Sequence, residues 1–129
     1  MKFEEELKKL NLPLGKYAIF GSGPLAIRGL RENNDIDIIV TDELWQNLTK
    51  KYKKFIVESN HIRIGHISIF HNWLPWFPNA SFLIKEAEII NNLPFVKLKY
   101  VKQWKEKSLK QKDKDDLALL KQWQTGNKQ

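Results

Sequence analysis

The chain contains no cysteine. That absence excludes disulfides, thiol nucleophiles and cysteine-ligated zinc, and it makes a cytoplasmic setting the expectation. No run of about 18 apolar residues occurs, so no membrane-spanning helix is expected and no membrane partner. The opening MKFEEELKKL carries acidic residues and no apolar stretch, unlike a secretory leader. Internal repeats, low-complexity tracts and long linkers are also missing, so residues 1–129 read as a single domain. No Gly-Lys-Ser or Gly-Lys-Thr follows the glycine-rich turn, which rules out a Walker-type phosphate loop. His61, His66 and His71 lack the helical spacing of zinc ligands, so no zinc site is expected.

What is present is a core and a basic balance. Hydrophobic residues make up 42% of the chain and include five tryptophans, enough to bury a real interior. The formal net charge is +7. Eight lysines crowd residues 97–114. Such a face attracts polyanions: nucleoside triphosphates, nucleic acid or an acidic protein partner. A solvated helix face gives the same composition.

Apolar residues at 3, 7 and 10 predict a helix over residues 3–11, ended by Pro13. Residues 16–20 read as a buried strand, and residues 24–28 as a short helix stopped by Gly29. Residues 35–40 predict a strand, after which Thr41 or Asp42 caps a helix whose inner side is Leu44, Trp45 and Leu48. KFIVES and HIRIGHISIF read as two strands around a Ser59-Asn60 turn. Strand alternation across the second would put Ile62, Ile64, His66, Ser68 and Phe70 on one face. SFLIKEAEII is ambiguous between a helix and a helix followed by a strand. AEIINNLPFVKL reads as two short strands around Asn91-Asn92, a pair that tolerates the positive φ of a tight hairpin. Helical patterns over residues 99–109 and 113–124 close the chain, with Trp104 and Trp123 spaced as core residues. The class is α/β (α+β): a small mixed sheet with helices on one side and a helical tail.

The chemistry concentrates in IFGSGPLAIRGLRENNDIDIIV. Asp35 and Asp37 stand at i and i+2 on a strand and so project from one face. Two adjacent carboxylates repel, and burial adds to the cost. Magnesium, a hard cation that takes one or two carboxylates plus phosphate oxygens, relieves both. Solvation on an edge strand, or pairing with lysines, would do so as well. Gly21-Ser22-Gly23 follows a strand and opens a helix, where free N–H groups favour an anion and glycine allows close approach.

A glycine-serine turn, a short helix and then Asp-x-Asp on the next strand resemble the DNA polymerase beta-type nucleotidyltransferase superfamily. More narrowly, the chain resembles the small, single-domain minimal nucleotidyltransferases and their relatives of the aminoglycoside-nucleotidyltransferase and abortive-infection toxin groups. ISIFHNWLPW falls where the family has a strand ending in an aromatic loop. KDKDDLALL is similar to the Lys-Asp-x-x-Asp helix of several branches, matched at Lys112, Asp113 and Asp116. The resemblance covers roughly residues 20–120. It implies the nucleotidyltransferase fold and magnesium-dependent transfer of a nucleoside monophosphate from a nucleoside triphosphate to an acceptor hydroxyl, with release of pyrophosphate. It also implies two magnesium ions on Asp35 and Asp37, phosphate binding by Gly21 and Ser22, and Lys112 near the triphosphate or the acids.

One position departs from the family. Its third carboxylate, which helps hold the catalytic metal and in many members acts as base, aligns with Ser68, a neutral hydroxyl. Three explanations stand. Another group substitutes, with His66 or Glu58 as candidates. Alternatively catalysis is lost and binding kept, giving a nucleotide- or nucleic-acid-binding module or a toxin–antitoxin-type partner. Or the register is off by one, although a slip offers only Ile67 or Ile69. Nothing in the sequence encodes an acceptor-binding domain, so a nucleic-acid or protein acceptor, a protein partner or a second copy would complete the site. Trp73, Trp76 and Phe77 lie in a proline-containing loop suited to stacking a base or sugar, lining a partner surface, or folding onto the core.

Overall fold

A computed structural model describes residues 1–58 and 61–126. The proposed Ser59-Asn60 turn lies outside the described residues. Seven strands form one mixed sheet: β1 (Tyr17–Phe20), β2 (Ile36–Val40), β3 (Ile56–Glu58), β4 (His61–Ile64), β5 (Ile67–Phe70), β6 (Glu88–Ile90) and β7 (Leu93–Phe95), in spatial order β3-β4-β5-β2-β1-β7-β6. The helices are α1 (Glu4–Lys9), α2 (Gly23–Ala26), α3 (Asp42–Lys51), α4 (Ser81–Lys85), α5 (Leu98–Lys107) and α6 (Gln111–Gly126). None of the described helices is long and apolar enough to cross a membrane.

Every residue of β1 is buried, and that accounts for the layering. Because side chains alternate, a strand buried on both faces must be covered on both. Tyr17, Ile19, Ile36, Ile38, Ile67 and Ile69 pack beneath Leu7 of α1 and Leu44, Trp45 and Leu48 of α3. On the opposite face Ala18, Phe20 and Ile39 meet Leu25 of α2, Leu83 and Ile84 of α4, and Val101 and Trp104 of α5. Helices therefore cover both faces rather than the one expected. Each fully buried isoleucine contributes about 1.5–3 kcal/mol of transfer free energy.

Local signals set the boundaries. Thr41 caps α3 by accepting from the Leu44 N–H at 3.3 Å, as expected. Asn91 and Asn92 both take positive φ and join β6 to β7. SFLIKEAEII resolves into a helix, α4, and then a strand, β6.

HIRIGHISIF is not one strand. Gly65, at φ +58°, and His66 form a two-residue turn, with Ile64 paired to Ile67 across it. The turn changes which residues share a face. Ser68 faces with Arg63 across β4 and with Asp37 across β2, and His66 leaves the strand altogether.

Candidate functional site

β2 carries the acidic pair. On one side Asp37 lies opposite Phe20 of antiparallel β1, and on the other opposite Ser68 of parallel β5. Asp35 sits one residue before the strand, where the side chain of Asn33 fixes the backbone. That amide, fully buried, donates to the Asp35 carbonyl at 3.1 Å and to the Lys2 carbonyl at 2.9 Å, and accepts from the Lys2 N–H at 2.8 Å.

The Asp37 side chain is partly buried and makes no hydrogen bond or ion pair among the described residues. Burial first, and then the charge of Asp35, push its carboxyl up to about 7 against the pull of Lys112, Arg63 and Lys105. Gly21 lies against it. A Cβ added there would come within 2.5 Å of Asp37 Oδ2, and φ is +61°. Glycine is thus required twice, for conformation and for room. Ser22 follows at the start of α2, and its hydroxyl makes no capping bond. Gly21, Ser22, Asp35 and Asp37 are therefore brought together at the adjoining ends of β1 and β2.

Ser68 is 1% exposed. Its neighbour is Arg63, which the sequence reading missed. Arg63 Nη1 donates to Ser68 Oγ at 2.9 Å and to Asp35 Oδ2 at 3.3 Å. A guanidinium thus places a positive charge beside Asp35 and Ser68. The signal that could have found it is the parity of the isoleucines. Residues 62 and 64 are even and 67 and 69 are odd, a break that marks a two-residue turn and puts Arg63 beside Ser68.

The donor set suits one hard cation better than two. Two adjacent carboxylates, one of them without a protein partner, match a magnesium ion completed by water and phosphate oxygens. No group of three or more histidines, cysteines and carboxylates that could hold a metal occurs among the described residues. A second ion would have to share the same two aspartates, with Arg63 already bonded to one of them.

Close by is a second set of charges. Lys105, 1% exposed, donates to Asp113 Oδ1 at 3.0 Å and to Asp116 Oδ2 at 2.9 Å. Arg31 Nη1 reaches both oxygens of Asp116, at 2.8 and 2.7 Å, and the Ser108 hydroxyl donates to Asp113. Burial acts to raise Asp113, but the Ser108 and Lys105 hydrogen bonds hold its carboxyl below the usual range. Asp113 and Asp116 thus bind a buried lysine and face away from a solvated role. Lys112, exposed on the same helix, acts on Asp37 through its charge.

Two expected substitutes for the third carboxylate are elsewhere. His66 sits in the β4–β5 turn, where its backbone N–H and Nδ1 both engage Glu6, at 3.1 and 2.9 Å, and its ring stacks on Phe3. Glu58 is exposed on the edge strand β3, with β4 and β5 between it and β2. Trp123 is only partly buried, with the Arg28 guanidinium over its ring, whereas Trp104 is a core residue. Phe77 also joins the core, with Trp73 and Trp76 packed at its margin.

No family model, no curated protein and no solved structure matches this chain.

Proposed function

We propose that the chain is a small domain of the nucleotidyltransferase fold that binds a nucleoside triphosphate with magnesium at Asp35 and Asp37 and transfers the nucleoside monophosphate to an acceptor hydroxyl. One observation carries the reading. Asp37 is a partly buried carboxylate beside a second carboxylate, pressed against Gly21 and unpaired among the described residues. A fold keeps so costly a group where a ligand compensates for it.

Magnesium, when bound, would be held by Asp35 and Asp37 and would neutralise charge on the phosphates. The remaining roles fall to the chain. Gly21 lets a phosphate approach the backbone, and the Ser22 hydroxyl, which makes no capping bond, can donate to it. Lys112, exposed and close enough to act on Asp37, adds a cation toward the same anion. Arg63 fixes Asp35 and offers its remaining N–H donors to charge developing on the transferring phosphate. In the transfer, the acceptor oxygen bonds to the α-phosphorus and the bond to pyrophosphate breaks. Pyrophosphate leaves with the electron pair, and the acceptor proton passes to water.

A second reading, binding without transfer, is favoured by the Arg63–Ser68 bond, which leaves no third carboxylate to activate an acceptor. One experiment separates the two. The protein is incubated with each labelled nucleoside triphosphate, magnesium and a panel of small RNAs, proteins and aminoglycosides, beside an Asp35→Ala, Asp37→Ala variant. Label transfer that the variant lacks supports the enzyme. Aspartate-dependent binding without transfer supports the module, and no magnesium-dependent binding at all would sink both.

A further inference from the structure

The sheet face that carries Asp37 and Ser68 also carries a cavity. Phe70 follows Ser68 by two residues on β5 and so projects from the same face. It joins Trp73, Trp76 and Trp104 as walls of an open hollow of about 200 Å³, with Lys110 and Asp113 also lining it. The volume is too small for a whole nucleotide, since pockets for drug-sized ligands run from about 300 Å³ upward. It suits one flat ring system.

The walls are packed aromatic rings that suit such a ring. Trp73 stacks on Phe20 at 4.7 Å between centroids and meets Phe70 and Trp104 edge-on, at 5.2 and 5.0 Å. Trp104 is held from beneath by Lys105, whose Nζ lies 4.1 Å from the ring centroid. The indole N–H groups of Trp73 and Trp104 are buried and have no acceptor among the described residues. Buried donors left unpaired are uncommon and costly. Both are sealed from solvent, so an acceptor reaches them only as the rings adjust around it.

We infer that this hollow is the seat of a nucleobase. The inference rests on the nucleotide reading of Asp35 and Asp37. A nucleotide joins a polyanion to a flat heterocycle through one sugar, and this face offers a cation site and an aromatic slot side by side. Asp113 links them, lining the hollow while pairing with the same Lys105 whose charge acts on Asp37. The base stacks against Trp76, one of the partly exposed walls, and its ring acceptors answer Lys110.

The test uses the full chain labelled with ¹⁵N-tryptophan, with the five indole signals assigned by single Trp→Phe variants. Nucleoside monophosphates are titrated without magnesium, beside ribose 5-phosphate. The signals of Trp73, Trp76 and Trp104 should move with the nucleotides and not with the sugar phosphate, while Trp45 on the opposite face stays in place. Trp76→Ala should weaken nucleoside triphosphate binding by roughly fivefold or more and leave magnesium tripolyphosphate binding unchanged. Should that variant misfold, the wild-type titration decides alone. Unmoved cavity signals, or equal shifts with ribose 5-phosphate, overturn the base seat. If magnesium tripolyphosphate still binds in an Asp37-dependent way in that case, the phosphate site stands without it. If tripolyphosphate fails as well, the nucleotide reading falls with the base seat.

Discussion

Two acid clusters lie close together in this fold, and they are solved in opposite ways. Around Asp113 and Asp116 the protein supplies its own cations: Lys105 and Arg31 balance the two carboxylates, and Ser108 satisfies a further oxygen. Around Asp35 and Asp37 the described residues supply one paired cation, Arg63, for two carboxylates, and of the two it bonds to Asp35. The first cluster is closed and the second is open. A closed cluster needs nothing from outside and so belongs to folding. An open one costs stability until a ligand arrives, which is the mark of a site.

The largest effect should come from opening the closed cluster. Lys105→Met keeps much of the side-chain volume but takes the shared cation from two carboxylates that are each 3% exposed, leaving Asp116 to Arg31 and Asp113 to the Ser108 hydroxyl alone. Breaking a buried ion pair from one side costs about 3–5 kcal/mol. Chemical denaturation should show a loss of that size, and a change below about 1 kcal/mol would mean that the pair is not sealed as described.

Next in size is the contact that shapes the open cluster. Gly21→Ala forces a side chain into a left-handed conformation and against Asp37 Oδ2. The conformational part alone costs about 1–2 kcal/mol. Magnesium-dependent nucleotide binding should fall with it, because the Asp37 carboxylate must move. A thermal melt and a binding titration on the same sample check both.

Removing the open charge should do the reverse to stability. Asp37→Asn should abolish magnesium-dependent binding while stabilising the free protein by about 1 kcal/mol above neutral pH. The sign follows from the carboxyl, raised by burial and then by Asp35 to about 7. The folded state holds the Asp37 proton more tightly than the unfolded state does. Its contribution to stability is therefore full below about pH 4 and is lost as the pH rises through about 7. Asp113 slopes the other way. Its carboxyl is held low, so its contribution is present above about pH 4 and disappears in acid. Denaturation curves of wild type and Asp37→Asn across that range should diverge toward high pH, and magnesium with nucleotide should close the gap.

The open cluster was legible in the sequence, whereas of the closed one only Asp113 and Asp116 stood out and their cations did not, for physical reasons. Asp35 and Asp37 are two residues apart on a strand, so their shared face follows from local geometry. Gly21 stands out as a turn glycine open to the approach of an anion, and its contact with Asp37 appears only in the fold. Thr41 and the Asn91-Asn92 pair are likewise local rules, and both elements appear where they were expected. Lys105 is different. It sits among eight lysines in residues 97–114 and reads as one more solvated charge, although Val101, Trp104, Lys105 and Ser108 are all buried at helical spacing. Only the packing of α5 against α6 selects it. Arg63 was lost to a face error, since a two-residue turn at Gly65-His66 shifts every side chain by one step.

The smallest predicted effect addresses why Ser68 is not an acid. Ser68→Asp alone places a carboxylate opposite Asp37 and beside Arg63. The guanidinium should take the new charge as an ion pair, and magnesium affinity should barely change. Arg63→Gln alone frees Asp35 but adds no ligand. Combined, the two substitutions leave three carboxylates and no paired cation, the arrangement a second metal ion needs. The double variant should therefore bind magnesium more tightly than the sum of the single variants allows, by a coupling of about 0.5–1 kcal/mol. Calorimetric titration of the four proteins measures it. Strict additivity would show that Arg63 and Ser68 are unconnected to the metal, and the serine would then be simply a buried hydroxyl with a partner.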